Sequence, residues 1–127
     1  MCHSPHVLIV EDHRGLHRAQ KAFLEIGGAT VHSAHNLPEA MDAYNRFSGI
    51  LQAVVVDFGL PEGTDALPLL DAIEASGRPV HVVGMSACPE SKDCLKQHRA
   101  CSHVVEEKKY VLEHLCQKGI LHFGFTA

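Results

Sequence analysis

The sequence predicts an α/β fold: a doubly wound, five-stranded parallel sheet in the order 2-1-3-4-5, with five helices distributed over both faces. The first observation is that short apolar runs alternate along the chain with longer segments whose apolar residues recur at helical spacing. Such alternation requires parallel strands joined by helical crossovers. The second is the run Ala53-Val54-Val55-Val56, because consecutive valines are typical of a strand buried on both faces of a parallel sheet.

Length and composition describe one ordinary domain. The 127 residues are 46% hydrophobic with a formal net charge of −4, which fits a globular protein and gives no basic footprint for nucleic acid. No apolar run approaches the ~20 residues of a membrane span, and the start lacks a signal-peptide pattern. Five irregularly spaced cysteines fit reduced thiols. We expect one cytoplasmic domain over residues 1–127, with a core at about 6–118 and a tail or linker stub at 119–127.

Turn and cap signals set the ends of the predicted elements. Gly27-Gly28 ends the first helix, Asn36 caps the second with Glu39 reaching back to it, Asp65 caps the third, and Pro89 opens the fourth. The predicted strands are residues 6–10, 29–34, 53–57, 80–85 and 102–105, and the predicted helices are residues 13–27, 37–47, 66–75, 89–100 and 110–118.

Apolar stripes indicate the inward face of each helix, except in the predicted fourth helix, which is markedly polar and reads as a solvated face. In that helix only Leu95 and Cys94 are candidate core contacts. The stripes of the other helices are, in chain order, Leu16, Ala19, Phe23 and Ile26; Leu37, Ala40, Met41, Tyr44 and Phe47; Ala66, Leu69, Leu70 and Ile73; and Val111, Leu112, Leu115 and Cys116.

Three carboxylates follow neighbouring strands of the predicted sheet. Glu11-Asp12 closes the first strand and Asp57 closes the third, and the carboxyl ends of parallel strands meet at one edge. Each carboxylate pair at about 4 Å would repel by roughly 4 kcal/mol at an effective dielectric of ~20, so either the pKa values of the carboxyl groups rise or a cation lies among them. Oxygen-only ligands suit Mg²⁺. With the hydroxyl of Ser86 and the ammonium of Lys108 at later strand ends, this is equipment for moving a phosphoryl group onto Asp57.

Over about residues 6–118 the chain resembles the receiver domain of two-component response regulators, a flavodoxin-like phosphoacceptor domain. Four motifs in order carry the resemblance: Glu11-Asp12, Asp57-Phe58-Gly59-Leu60-Pro61, Ser86-Ala87 and Lys108.

The resemblance implies a phosphorelay protein in signal transduction. A histidine kinase or a histidine phosphotransfer protein would phosphorylate Asp57, and the domain would catalyse its own phosphorylation and dephosphorylation without being an enzyme in the usual sense. A downstream protein partner would bind at the fourth helix, fifth strand and fifth helix. The implied residues are Glu11, Asp12, Asp57 and Gly59 for Mg²⁺, with Glu11 acting through water and Gly59 through its carbonyl, and Asp57, Ser86 and Lys108 for the phosphoryl group.

Two departures from the family pattern favour an alternative, a phosphate-independent interaction module with the same fold. Lys109 stands where the family has proline, and Val105 stands where a switch aromatic is usual. A third hypothesis, a Mg²⁺-dependent phosphatase, would need an aspartate two residues after the nucleophile, and that position is Gly59.

Cysteines and histidines cluster late in the chain, at Cys88, Cys94, His98, Cys101 and His103. Cys94 and His98 share a helical face at i, i+4, so a zinc site is geometrically conceivable, but the spacing matches no finger or ribbon pattern. We expect surface or half-buried residues here. Cys88 would lie near the mouth of the acidic pocket, and His13 is expected to be a solvated loop histidine.

Overall fold

Parallel strands form the centre of the fold. The computed structural model describes residues 4–57, 66–85, 98–105 and 109–121. Its strands are β1 (His6–Val10), β2 (Thr30–Ala34), β3 (Leu51–Asp57), β4 (His81–Met85) and β5 (His103–Val105), all paired in parallel in the order β2-β1-β3-β4-β5. The α/β class and the order 2-1-3-4 of the first four strands are as predicted, and the short β5 pairs with β4.

Helices cover both faces of this sheet. The described helices are α1 (Arg14–Ile26), α2 (Leu37–Phe47), α3 (Leu67–Ser76) and α4 (Lys109–Gln117), the last being the predicted fifth helix. Most of the predicted fourth helix falls on residues 86–97, outside the described residues. Residues 98–100 lie outside any helix, so the predicted end of this helix is wrong. They belong to a turn in which the Cys101 N–H donates to the His98 carbonyl at 3.2 Å. Within the described ranges, no helix is both long and apolar enough to cross a membrane.

Two apolar cores lie on opposite sides of the sheet, and β3 contributes to both. Val54 and Val56 belong to the core beneath α2 and α3, whereas Ala53 and Val55 belong to the core beneath α1 and α4. All four side chains are fully buried, which confirms the predicted two-sided burial of this strand. Past α4, Leu121 packs into the second core, so the first residues of the predicted tail join the domain.

The apolar stripe of α1 does not face the sheet. Leu16, Phe23 and Ile26 are 41%, 52% and 64% exposed, while the inward face of the helix carries His17, Gln20 and Leu24. The sequence-based choice of inward face was therefore wrong for this helix. The physical reason is that its inward rows cover the polar ends of strands, where the Gln20 amide donates to the Met85 sulfur at 3.4 Å.

The helix caps agree with the sequence-based predictions except at two points. Asn36 caps α2, its side chain accepting from the Glu39 N–H at 2.9 Å. The Glu39 carboxylate reaches past the cap residue and accepts from the His35 N–H at 2.9 Å. The cap residue of α3 is Ala66, without a side-chain hydrogen bond, so the predicted cap at Asp65, outside the described residues, is wrong by one position.

The Asn36 cap provides a stability test. Asn36→Ala should lower the free energy of unfolding by about 1 kcal/mol, because the Glu39 N–H loses its acceptor. Urea denaturation measures the change. Asn45→Ala, at an exposed position inside the same helix, is the matched control and should be neutral or slightly stabilising, since alanine is the better helix former. Equal destabilisation by both substitutions would contradict the cap.

Two histidines and a phenylalanine stack at the start of the β1–β2 pair. His6 Nδ1 lies 2.9 Å from His32 Nε2, and the His32 ring lies 3.9 Å from the Phe47 ring, centroid to centroid. Burial lowers the pKa of His32, and the neighbouring His6 lowers it further. Below the ordinary histidine pKa of about 6.5 the unfolded chain therefore binds a proton more readily than the folded chain does.

The free energy of unfolding should consequently fall as the pH drops from about 6.5 toward the lowered pKa of His32. His32→Asn should reduce this decline, because the group that takes up the proton on unfolding is gone. It should not abolish the decline, since burial also lowers the pKa of His17. Urea midpoints measured at about pH 7 and pH 5 test the prediction; an unchanged pH dependence in the variant would refute it.

Candidate functional site

Strand pairing brings the three predicted carboxylates together. β1 and β3 are neighbours, with Val10 paired to Val56, so the next residue on each strand, Glu11 and Asp57, lies at the same edge. Glu11, Asp12 and Asp57 each place one carboxylate oxygen within 4.8 Å of the others. We call this group the acidic cluster.

Glu11 is the most firmly held member of the acidic cluster. It is fully buried, while Asp57 is half-buried and Asp12 exposed. The Glu11 N–H donates to the Ala34 carbonyl at 3.0 Å, and its own carbonyl lies 3.1 Å from His35 Nδ1. Its carboxylate accepts from the His13 N–H at 3.3 Å. The cluster therefore has a fixed inner wall and a solvent-facing rim.

His13 joins the acidic cluster to α1. Its Nδ1 accepts from the Leu16 N–H at 3.1 Å, which makes His13 the N-cap of the helix. The side chain is exposed, as expected, but it has a capping role that the sequence analysis missed. Since histidine is not among the usual N-cap residues, no standard signal marked it.

The donor set of the acidic cluster fits a hard divalent cation. Three carboxylates this close repel one another, and a cation among them would remove that repulsion. Mg²⁺ prefers such oxygen ligands and retains several waters, which suits a rim open to solvent at Asp12. The other predicted site residues, Gly59, Ser86 and Lys108, lie outside the described residues, so their placement stays a prediction.

A buried polar layer lies behind the acidic cluster, and the sequence analysis missed it. His17 is 3% exposed, its ring lies 4.3 Å from that of His35, centroid to centroid, and neither of its nitrogens has a hydrogen-bond partner among the described residues. Burial is the main cause that lowers the pKa of His17, and His35 adds to it while Glu11 opposes it. The i, i+3 spacing of His17 and Gln20, one turn before Leu24, was the available signal.

His98, a described member of the late Cys/His cluster, is half-buried, as expected, and it contacts α3. His98 Nε2 lies 2.7 Å from Asp71 Oδ1 on α3, and Glu74 is close enough for the three to offer ligand atoms within 4.8 Å of one another. Cys101 is half-buried, as expected. Cys88 and Cys94 lie outside the described residues, so the zinc hypothesis stays untested for them.

Comparisons with known proteins identify the fold. No protein-family model matches the sequence, and no curated protein matches it. Among solved structures, the HemR receiver domain from Leptospira biflexa is 22% identical, with 98% of each chain covered and a TM-score of 0.75. A response regulator receiver domain protein from Clostridium thermocellum is 16% identical, with 91% of this chain and 94% of that chain covered and a TM-score of 0.78.

A third neighbour is the response regulator protein TrrA from Thermotoga maritima, in complex with Mg²⁺-BeF. It is 21% identical, with 92% of this chain and 99% of that chain covered and a TM-score of 0.73. At these identities the likeness shows the fold, and the chain has the fold of a response-regulator receiver domain.

The acidic cluster gives a test that combines stability and metal binding. In EDTA, Asp57→Asn should raise the free energy of unfolding by about 1 kcal/mol or more, because two charges ~4 Å apart repel by ~1 kcal/mol in water and ~4 kcal/mol at a dielectric of 20. Mg²⁺ should stabilise the wild type by mass action and the variant much less.

The matched control is Asp42→Asn, an exposed carboxylate on α2 away from the cluster. It should leave both the metal-free stability and the Mg²⁺ response unchanged. Identical behaviour of the two variants would show that the carboxylates of the cluster neither repel one another nor bind a cation.

Proposed function

We propose that this chain is a phosphorelay receiver in which Asp57 accepts a phosphoryl group from a histidine kinase or a histidine phosphotransfer protein. The observation that carries the proposal is the convergence of Glu11, Asp12 and Asp57 within 4.8 Å at the sheet edge of a receiver fold. Phosphorylation would change which protein the domain binds, so the chain acts as a switch and turns over no metabolite.

Asp57 is the best placed nucleophile of the cluster. It is half-buried at the end of β3, between the buried Glu11 and the exposed Asp12. One of its carboxylate oxygens attacks phosphorus, an O–P bond forms, and the P–N bond of the donor phosphohistidine breaks. The electron pair of that bond leaves with the imidazole, which is protonated from solvent.

The remaining cluster residues support this transfer electrostatically. Mg²⁺, when bound, neutralises charge on the carboxylates and on the phosphoryl oxygens. Asp12 and Asp57 would ligate it directly and Glu11 through water, as the family resemblance implies. The same resemblance assigns the Gly59 carbonyl to the metal, and Ser86 and Lys108 to the phosphoryl oxygens.

The exposed stripe of α1 suits a protein phosphodonor. Leu16 lies in the first turn of α1, whose cap residue His13 contacts the Glu11 carboxylate, and Phe23 and Ile26 continue the stripe along the helix. A partner that delivers a phosphoryl group to Asp57 must cover this edge of the sheet, and apolar side chains there favour contact with its surface. The family resemblance implies that a downstream protein partner binds at the predicted helix at about 89–100, at β5 and at α4.

The alternative, a phosphate-independent interaction module, rests on position 105. Val105 ends β5 where receivers commonly have an aromatic residue, and a valine cannot make the inward movement of such a ring. We therefore separate phosphorylation from its readout. Phosphorylation depends on the acidic cluster, whereas the readout depends on how β5 responds to phosphorylation.

Intact-protein mass spectrometry tests the proposal. Incubation with acetyl phosphate and Mg²⁺ should add one phosphoryl group to the wild type. Asp57→Asn or EDTA should abolish the addition, because the first removes the attacking carboxylate and the second removes the cation that offsets its charge. Asp42→Asn, the matched control, should be phosphorylated like the wild type.

Failure of the wild type to gain mass, with its fold intact by circular dichroism, would contradict the phosphoacceptor function and favour the phosphate-independent module. Addition that persists in Asp57→Asn would contradict the assignment of the acceptor residue.

A further inference from the structure

A cleft of opposite charge lies close to the acidic cluster, between α1 and the edge strand β2. Its volume is about 220 Å³, and it is partly open to solvent. α1 contributes Arg14, His17, Arg18 and Lys21 to its walls, and the end of β2 contributes Ser33 and His35. We call it the basic cleft.

Helix and strand periodicity place these side chains together. Arg14, Arg18 and Lys21 follow one another at i, i+4 and i+7, so they share one face of α1. Ser33 lies near the end of β2, and His35 follows that strand by one residue. Among the described residues, none of the three cationic side chains makes an ion pair or a hydrogen bond. The buried carboxylate of Glu11 acts on His17 and opposes the lowering of its pKa.

His17 forms the inner wall of the basic cleft and has unmet hydrogen-bonding capacity. The residue is 3% exposed, yet both ring nitrogens lack a partner within the part of the chain that the structure describes. Burying a polar group without a partner is unfavourable, and buried side chains of this kind are normally satisfied. The ring of His17 therefore forms the floor of the cleft, and the cationic side chains of its walls supply the contacts to a ligand.

We propose that the basic cleft binds a small anion of the phosphate type, a free phosphate or a small phosphate monoester. The guanidinium groups of Arg14 and Arg18 match the oxygens of a phosphate group, and the Lys21 ammonium adds a third positive charge. The volume is below the range of about 300–1,000 Å³ that is usual for drug-sized ligands, which favours a small anion. The acidic cluster, which repels anions, is a separate site.

Chemical-shift titration by NMR tests the proposal with inorganic phosphate and with glycerol 3-phosphate as probes. Ionic strength is held at about 0.15 M to limit non-specific attraction, and EDTA keeps divalent metal from the acidic cluster. Saturable shifts should appear at the amides of residues 14–21 and 33–35. Tighter binding of glycerol 3-phosphate indicates a phosphate monoester as the ligand, and tighter binding of inorganic phosphate indicates the free ion.

The double variant Arg18→Gln/Lys21→Gln should weaken the affinity at least about tenfold, since each removes a charge-assisted hydrogen bond. Arg78→Gln/Arg99→Gln removes the same charge at exposed positions outside the cleft and should leave the affinity unchanged. The variant Asp57→Asn should bind the probes like the wild type, which keeps this result separate from the phosphoacceptor function. Non-saturable shifts, or equal weakening by both double variants, would overturn the proposal.

Discussion

The pairing of β1 with β3 is the constraint on which the site depends. It sets Glu11 beside Asp57 at one sheet edge and holds three mutually repelling carboxylates within 4.8 Å. Each such pair repels by roughly 4 kcal/mol at a dielectric of ~20. The two strands withstand this because residues 7–10 and 53–56 are all fully buried. The burial of each large apolar side chain among them contributes about 1.5–3 kcal/mol, which is of the same order as the repulsion of one carboxylate pair. The sheet can therefore hold the three carboxylates together in an arrangement that suits a bound cation.

The polarity of this edge also explains the orientation of α1. A helix that begins beside the acidic cluster places its first inward turns over strand ends that carry polar groups, so His17 and Gln20 face inward and the apolar stripe faces solvent. Leu24, farther along the helix, is the apolar residue of α1 that packs into the core. The same orientation of α1 produces both its exposed apolar stripe and the basic cleft against β2.

Much of the fold could be predicted from the sequence because its main signals are local and strong. The valines of β3 and the Asn36 cap each predict a single arrangement, and both are present. Prediction failed where tertiary context decides. Hydrophobic periodicity alone favoured Leu16 as an inward residue of α1, whereas polar neighbours at the sheet edge turn the helix. The basic cleft is lined by residues from two parts of the chain, α1 and the region of β2, so no local sequence pattern predicts it.

The proposed role of the acidic cluster is to make Asp57 the phosphoacceptor. The most direct measurement is borohydride reduction of protein phosphorylated with acetyl phosphate, followed by peptide mass spectrometry. An aspartyl phosphate is reduced to homoserine, whereas a phosphohistidine is not, which matters in a chain with 11 histidines. We expect homoserine at position 57 and nowhere else. Homoserine at another aspartate, or a phosphoryl group retained on histidine with position 57 unchanged, would contradict it.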